Sequence, residues 1–291
     1  MTDTIRVAAG PIGPKSMPES FSRRDFLASA GAVVAVTASR AADPGRVPVI
    51  DCHTHAGTGT DLTAPWTTIA DPQEIIRRHK EAGIDQACIF PITHDTFEEA
   101  NREIAEIVRR YSGHFIGYAK HDPVTEKGRI RAMLLRECRE MGLRGLKLHV
   151  KPTPEVLDTV AELGIPIIWH PGRVAMFDDV AKAYPTVDLI MAHLGSDLSN
   201  DWREHLAAVD LARRYPNVYL DTGACVFTRY LEQAIKELGP GKIVYGSDEP
   251  EVDCRLEIFK VRILKLPKEQ EEMILGGNIQ RLLGKYKGGA A

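Results

Sequence analysis

Residues 165–193 read IPIIWHPGRVAMFDDVAKAYPTVDLIMAH, and the fold turns on this stretch. It holds two short apolar runs, IPIIW at 165–169 and DLIM at 188–191, each followed by a histidine. The histidines, His170 and His193, are 23 residues apart, the length of one strand–helix unit. Neither run alternates apolar with polar residues, as a sheet face open to water would. Both therefore read as parallel strands covered on both faces. The run KIVY at 242–245 has the same character. Working outward, strand ends fall near His53, Phe90, Ala119, His149, His170, His193, Thr222 and Ser247, with steps of 29 residues from His193 to Thr222 and 25 to Ser247.

Helical patterns fill the gaps. Residues 72–82 carry Asp71 in position to cap them and Gly83 to end them. Residues 97–111 place Ile104, Ile107 and Val108 on one face; 156–163 stop at Gly164, and 202–215 stop before Pro216. Strict alternation of strand and helix requires a parallel sheet with right-handed crossovers. Eight such units favour a closed (β/α)₈ TIM barrel, one α/β domain over 47–285, rather than an open doubly wound sheet. No GxGxxG follows the first strand, so the nucleotide reading of an open sheet lacks its signature.

The chain has 291 residues, 44% hydrophobic and 26% charged, which is ordinary globular composition. A net charge of −3 without blocks of like sign gives no reason to expect nucleic acid or an anionic membrane surface as partner. The five cysteines, Cys52, Cys88, Cys138, Cys225 and Cys254, are odd in number and form no CxxC. They read as buried thiols rather than a disulfide framework or a cysteine zinc site.

The first 41 residues read as an address. Ser22–Leu27 is SRRDFL, with Arg23 and Arg24 ahead of a mild apolar run at 26–38 that is too short and too rich in Ala and Gly to span a bilayer. Small residues then permit cleavage after Ala38 or Ala41. The order resembles a twin-arginine export signal. Residues 1–41 are thus expected to be a disordered or helical signal segment, and the mature chain to be periplasmic or secreted and not an integral membrane protein. Cleavage at Ala38 leaves a chain close to the roughly 250 residues typical of such a barrel.

In a barrel of this kind catalytic groups come from the C-terminal ends of the strands. Here those ends carry ligand-type residues. Strand one ends VIDCHTH, placing His53 and His55 on the same side. Two imidazoles at a barrel mouth form a two-point clamp for a metal. Strand four ends GLKLH, with Lys147 and His149 on one side; a lysine inside a barrel must be paired, neutral or chemically modified. Strands five and six supply His170 and His193, and strand eight ends VYGSD at Asp248. Arg173, Arg144, His121 and His149 come from neighbouring regions and offer cations or donors suited to a carboxylate.

This set (HxH on strand one, KLH on strand four, one histidine each on strands five and six, SD on strand eight) resembles the amidohydrolase superfamily. The tail ILGGNIQRLLG at 274–284 resembles the amidohydrolase-related branch that includes aminocarboxymuconate-semialdehyde decarboxylase-like enzymes and dicarboxylate lactonases. The resemblance implies a divalent metal, zinc first, held by His53, His55, His170 and Asp248. His193 would act as base or electrophile, with Asp248 a ligand, a proton carrier or both. Lys147 would either face the substrate as a cation, with one metal, or be carboxylated and bridge two; one metal fits the tail better. The implied activity is hydrolysis of a small carboxylated amide, ester or lactone, with non-oxidative decarboxylation as the alternative. His149, Arg173 and His121 are expected to bind substrate, and a homodimer is compatible with the sequence. Glu249, directly after Asp248, departs from the aromatic or small residue the pattern leads one to expect.

Overall fold

The structure is a computed structural model that describes residues 46–59, 70–92, 96–170 and 172–288. The stretch read as an export signal lies outside the described residues. Among those residues the unit beginning at Val47 contains nine strands: β1 Ile50–Ala56, β2 Gln86–Pro91, β3 Phe115–Gly117, β4 Ala119–Lys120, β5 Leu146–Leu148, β6 Ile167–Trp169, β7 Leu189–Met191, β8 Val218–Asp221 and β9 Ile243–Val244. They pair in parallel in the orders β1-β2-β3 and β4-β5-β6-β7-β8-β9.

Nine strands make eight staves, because β3 and β4 are one stave interrupted at Tyr118. The Tyr118 amide still donates to the Ile89 carbonyl at 2.8 Å, and the next amide, Ala119, turns to Gly145 O at 2.9 Å. The ring closes between the two ends of the chain. Cys52 N donates to Tyr245 O at 2.9 Å, Asp248 N to His53 O at 2.7 Å and His55 N to Glu249 O at 2.6 Å. Thr54 and Glu249 form a parallel bridge at the same seam. The result is the eight-stave barrel expected from the strand spacing.

The helices are α1 Pro72–Ala82, α2 Phe97–Arg110, α3 Ile130–Arg139, α4 Pro154–Leu163, α5 Phe177–Ala183, α6 Trp202–Arg214, α7 Thr228–Leu238, α8 Cys254–Arg262, α9 Lys268–Glu272 and α10 Asn278–Leu283. The α1 helix starts and stops as its sequence dictates: the Asp71 side chain accepts from Gln73 N, and Gly83 closes it at φ 72°. Gly164 ends α4 in the same left-handed conformation, at φ 66°.

The core has two layers. Side chains such as Leu146, Leu148, Ile167, Trp169, Leu189 and Met191 face outward and pack with Ile104, Leu134, Val160 and Phe177 of the helices. Their neighbours Phe90, Tyr118, Ile168, Ile190 and Val244 fill the barrel interior. Burial on both faces is why the strand sequences are continuously apolar. Ile279, Leu282 and Leu283 of α10 join the interior cluster and close the barrel at the N-terminal ends of the strands. There Tyr286 Oη donates to Cys138 O at 2.6 Å, and Lys287 N to Leu163 O at 2.8 Å. All five cysteines are buried free thiols, as their pattern suggested.

The turn ahead of α10 sits directly on the chain entering β1: a Cβ on Gly276 would lie 1.8 Å from the Pro48 carbonyl oxygen, whereas one on Gly277 meets nothing nearer than 3.5 Å. Gly276→Ala is therefore expected to cost about 1–3 kcal/mol and to lower the melting temperature by roughly 2–4 °C per kcal/mol. Gly277→Ala should melt close to wild type. Equal losses at both positions would contradict this packing.

Candidate metal centre

The mouth of the barrel collects His53 and His55 from β1, Lys147 from β5, His170 and His193 from the residues just past β6 and β7, and Asp248 past β9. His53 is fully buried at its centre. Its Nδ1 donates to Asp221 Oδ2 at 2.5 Å, and its Nε2 lies 2.8 Å from Lys147 Nζ and 3.1 Å from Asp248 Oδ1. His55 Nδ1 faces the Pro91 carbonyl at 3.3 Å, leaving Nε2 3.4 Å from the same Asp248 oxygen. His193 Nδ1 donates to the Gly223 carbonyl at 2.8 Å.

A carboxylate or carbonyl oxygen only accepts, so Nδ1 carries a proton in all three rings. Nε2 of His53 and of His55 also faces an acceptor, Asp248 Oδ1, and would offer its lone pair to a cation seated between them. That is the outer arrangement by which proteins hold imidazoles ready for a metal. Ligand atoms of His53, His193 and Asp248 lie within 4.8 Å of one another. The donor set thus fits a divalent ion by its chemistry: imidazole nitrogens with their tautomers set, and an ionised carboxylate.

The electrostatics agree for every ring of the set but His53. Burial, with smaller help from neighbouring cations, lowers His55 to about 4, while burial and then the adjacent His193 lower His170 to about 3. Burial also lowers His193, outweighing the pull of Asp248. Burial opposes the charge on Asp248, but His53 and His55 overcome it and hold the carboxyl well below its ordinary range. For His53, burial and Lys147 press downward, and the carboxylates of Asp221 and Asp248 outweigh them and raise the ring. Lys147 itself falls to about 8, because burial costs its charge more than Asp248 returns.

Two of these residues are held in left-handed backbone, His193 at φ 60° and Asp248 at φ 64°. Such conformations cost a non-glycine residue roughly 1–3 kcal/mol and persist where the surroundings enforce them. At Asp248 the enforcement is visible. Its amide is tied to His53 O, and Ser247 N donates to Asp51 Oδ1 at 3.0 Å, an oxygen that also accepts from His53 N at 3.0 Å. Burial raises Asp51 to about 6. Glu249, the departure noted in the sequence, points away from the mouth. It is fully buried behind Asp248, with its oxygens 2.9 Å from Arg78 Nε and 2.9 Å from His79 Nε2. It fastens α1 to the Asp248 turn. Glu249, His79 and Cys254 also lie close together, but there the carboxylate is taken up by Arg78 and His79.

The remaining expected residues are placed differently. The His170 ring lies 4.6 Å from His193 and 5.5 Å from His149, centre to centre, so both reach the mouth, His149 at its exposed rim. Arg173 is exposed. Arg144 lies at the opposite end of the barrel, donating to Leu283 O at 3.0 Å and stacked on Tyr286. His121 does not join the cluster: its nitrogens bind Glu126 at 2.9 Å and Glu137 at 2.8 Å. Two residues at the mouth were passed over in the sequence. Asp221 is the last residue of β8, one before the strand end expected at Thr222; Lys120 is the last of β4, one past that expected at Ala119.

Residues 50–285 match the family model described as Amidohydrolase. Solved structures with the same fold include 5-carboxyvanillate decarboxylase from Sphingomonas paucimobilis, with 15% identity and a TM-score of 0.66 over 82% of this chain and 99% of that one. A probable 2-pyrone-4,6-dicarboxylic acid hydrolase from Acinetobacter baumannii, with citric acid bound, has 17% identity and a TM-score of 0.66 over 82% and 100%. A dihydroxybenzoic acid decarboxylase from Polaromonas sp. JS666, with bound manganese, has 18% identity and a TM-score of 0.60 over 82% and 97%. Among curated protein sequences none matches significantly.

Two predictions follow from the anchoring contacts. Asp221→Asn removes the charge that fixes the His53 tautomer and should weaken metal affinity by about 10- to 100-fold; titration of metal-free protein measures it, and unchanged affinity would remove Asp221 from this role. For His121, burial opposes protonation, but Glu126 and Glu137 outweigh it and raise the ring to about 9 against an ordinary 6.5. Its stabilisation is then complete below pH 6.5 and lost as pH rises through 9. The melting difference between wild type and His121→Gln should accordingly shrink from pH 6 to pH 9.5; a constant difference would contradict the ion pairs.

Proposed function

The chain belongs to the amidohydrolase family, and on that premise we propose that it is a metal-dependent hydrolase of a small carboxylated amide, ester or lactone. One observation carries the reading: His53 and His55 are anchored through Nδ1 so that their Nε2 atoms meet at Asp248 Oδ1, with His193, anchored in the same way, and His170 beside them. His53, His55, His170 and Asp248 would hold one divalent ion, zinc in first place. Such an ion polarises a carbonyl and brings the pKa of bound water to about 7.

The chain's own groups do the rest. His193, kept neutral by burial, has one ring nitrogen committed to Gly223 O and the other free to take a proton. Asp248, ionised, can relay a proton to the leaving group. Asp221 keeps His53 from rotating, and Lys147 adds positive charge where a carbonyl oxygen gains negative charge.

Decarboxylation is the second reading: decarboxylases stand among the structural relatives beside the 2-pyrone-4,6-dicarboxylic acid hydrolase. It requires a vinylogous or aromatic acid that accepts a proton at carbon, and His193 or Asp248 would deliver it. Export through the Arg23–Arg24 signal, with function in the periplasm or outside the cell, belongs to the same proposal.

The test combines metal content with isotope tracing. Reconstituted protein should hold about one divalent ion per chain and carry oxygen from labelled water into the product of a carboxylated lactone, ester or amide. His53→Ala should lose ion and activity together. His193→Asn should keep most of the metal and lose about 10²-fold or more in rate. Carbon dioxide release without label uptake would make the enzyme a lyase; a protein that takes up no metal would end both readings. Metal loss in His193→Asn equal to that in His53→Ala would make His193 a ligand.

A further inference from the structure

The turn after β8, residues 222–225, orients two imidazoles of the site. The Gly223 carbonyl takes the Nδ1 proton of His193 at 2.8 Å. The Gly223 amide donates to Asp221 Oδ1 at 2.6 Å, on the carboxylate whose other oxygen holds His53. The turn also packs directly on the Asp248 backbone, since a Cβ on Gly223 would lie 3.2 Å from Asp248 N. Its own bonds hold it weakly. Ala224 is left-handed at φ 50°, which is costly for a residue with a side chain. The bond that closes the turn, from Cys225 N to Thr222 O, is long at 3.4 Å.

Lys260 of α8 spans that turn. Its Nζ donates to Cys225 O at 2.5 Å and to Thr222 O at 3.3 Å, the carbonyls at the two ends of the turn. It also lies 2.5 Å from Glu257 Oε2, one helical turn earlier on α8, and both side chains are largely buried. Burial raises Glu257 to about 8 against the pull of Lys260, and the carboxyl keeps an acceptor oxygen in either form. Two carbonyls and one carboxyl thus surround the ammonium, which is engaged by the turn and its own helix rather than by solvent. Lys242 does the same at the other end of β8, away from the mouth. Its Nζ donates to Tyr215 O at 2.7 Å, Pro216 O at 3.0 Å and Val218 O at 2.9 Å.

We propose that Lys260 is a positioning residue for His193: by bridging the two ends of the turn it holds Gly223 O where that oxygen fixes the Nδ1–H tautomer and leaves Nε2 to accept a proton. This rests on the reading of His193 as proton acceptor given above and extends it to a residue of the outer helices. Lys260 acts through the turn alone. Asp221 is held in the β8–β9 ladder as well, opposite Val244. His53, and with it affinity for the ion, should therefore depend less on Lys260 than His193 does.

The test reads the ring itself. Proton–nitrogen correlation spectra are recorded on the metal-free full chain labelled with heavy nitrogen at histidine, and His193 is identified by the signals that His193→Asn removes. Wild type should show His193 in the Nδ1–H form alone. Lys260→Met should show the Nε2–H form beside it, and Lys260→Arg, which can span both carbonyls, should restore the single form. Lys260→Gln, whose donor is too short to span both, carries the same expectation as Lys260→Met should the methionine variant not fold. Lys242→Met removes a lysine that also holds strand-end carbonyls; it should lower the melting temperature and leave His193 unchanged. In zinc-reconstituted enzyme with a turned-over substrate, Lys260→Met should lose about 10- to 100-fold in kcat with little change in KM. A His193 ring that stays in the single form in Lys260→Met and Lys260→Gln would overturn the proposal, as would an equal disturbance in Lys242→Met. A disturbed ring with undiminished kcat would keep Lys260 as the brace and overturn the assignment of His193 as proton acceptor.

Discussion

The site depends on how the barrel closes. His53 and Asp248 are far apart in sequence, and three backbone hydrogen bonds across the seam between β1 and the residues after β9 bring them together. These bonds involve the site residues themselves: Asp248 donates its amide to His53 O, and His55 donates to Glu249 O. Closure of the fold and assembly of the candidate metal donors are thus one event. A chain with a slipped seam would misplace both imidazoles of the HxH pair, because a one-residue shift turns every side chain to the other face.

Around that seam lies a second shell of buried polar groups that sets direction. Asp221, Pro91 O and Gly223 O each take one ring proton, and Asp51 ties the two sides of the seam together. Glu249 continues the chain outward to α1 through Arg78 and His79. Gly246 leaves no room to vary: a Cβ there would meet Asp221 Oδ1 at 2.4 Å and His53 Cβ at 2.7 Å. The close fit keeps the imidazole and its carboxylate in a fixed relation.

The barrel was legible because burial on both faces leaves continuous apolar runs at a regular spacing, and because Asp71, Gly83 and Gly164 mark helix ends by rules that tertiary contacts did not override. His53, His55, Lys147 and Asp248 were legible as mouth residues because each lies in or just past an apolar strand run. Asp221 and Lys120 were missed for one reason, a strand end placed one residue early or late. Direction along the last residues of a strand is set by ladder bonds such as the handover at Tyr118, which no side-chain pattern records. His121 and Arg144 resembled mouth residues in the sequence because charge and proximity to a strand are visible there. Which end of the strand they occupy, and whether a helix supplies them with carboxylates, is decided by long-range packing.

The buried thiols have a consequence of another kind. Burial raises the pKa of each of the five cysteines, with Cys88 and Cys138 at about 12. Thiol oxidation and disulfide exchange proceed through the thiolate. A folded chain with an odd number of such cysteines therefore presents almost no reactive sulfur at neutral pH. It can pass from a reducing to an oxidising compartment without cross-linking, provided that it folds before it crosses.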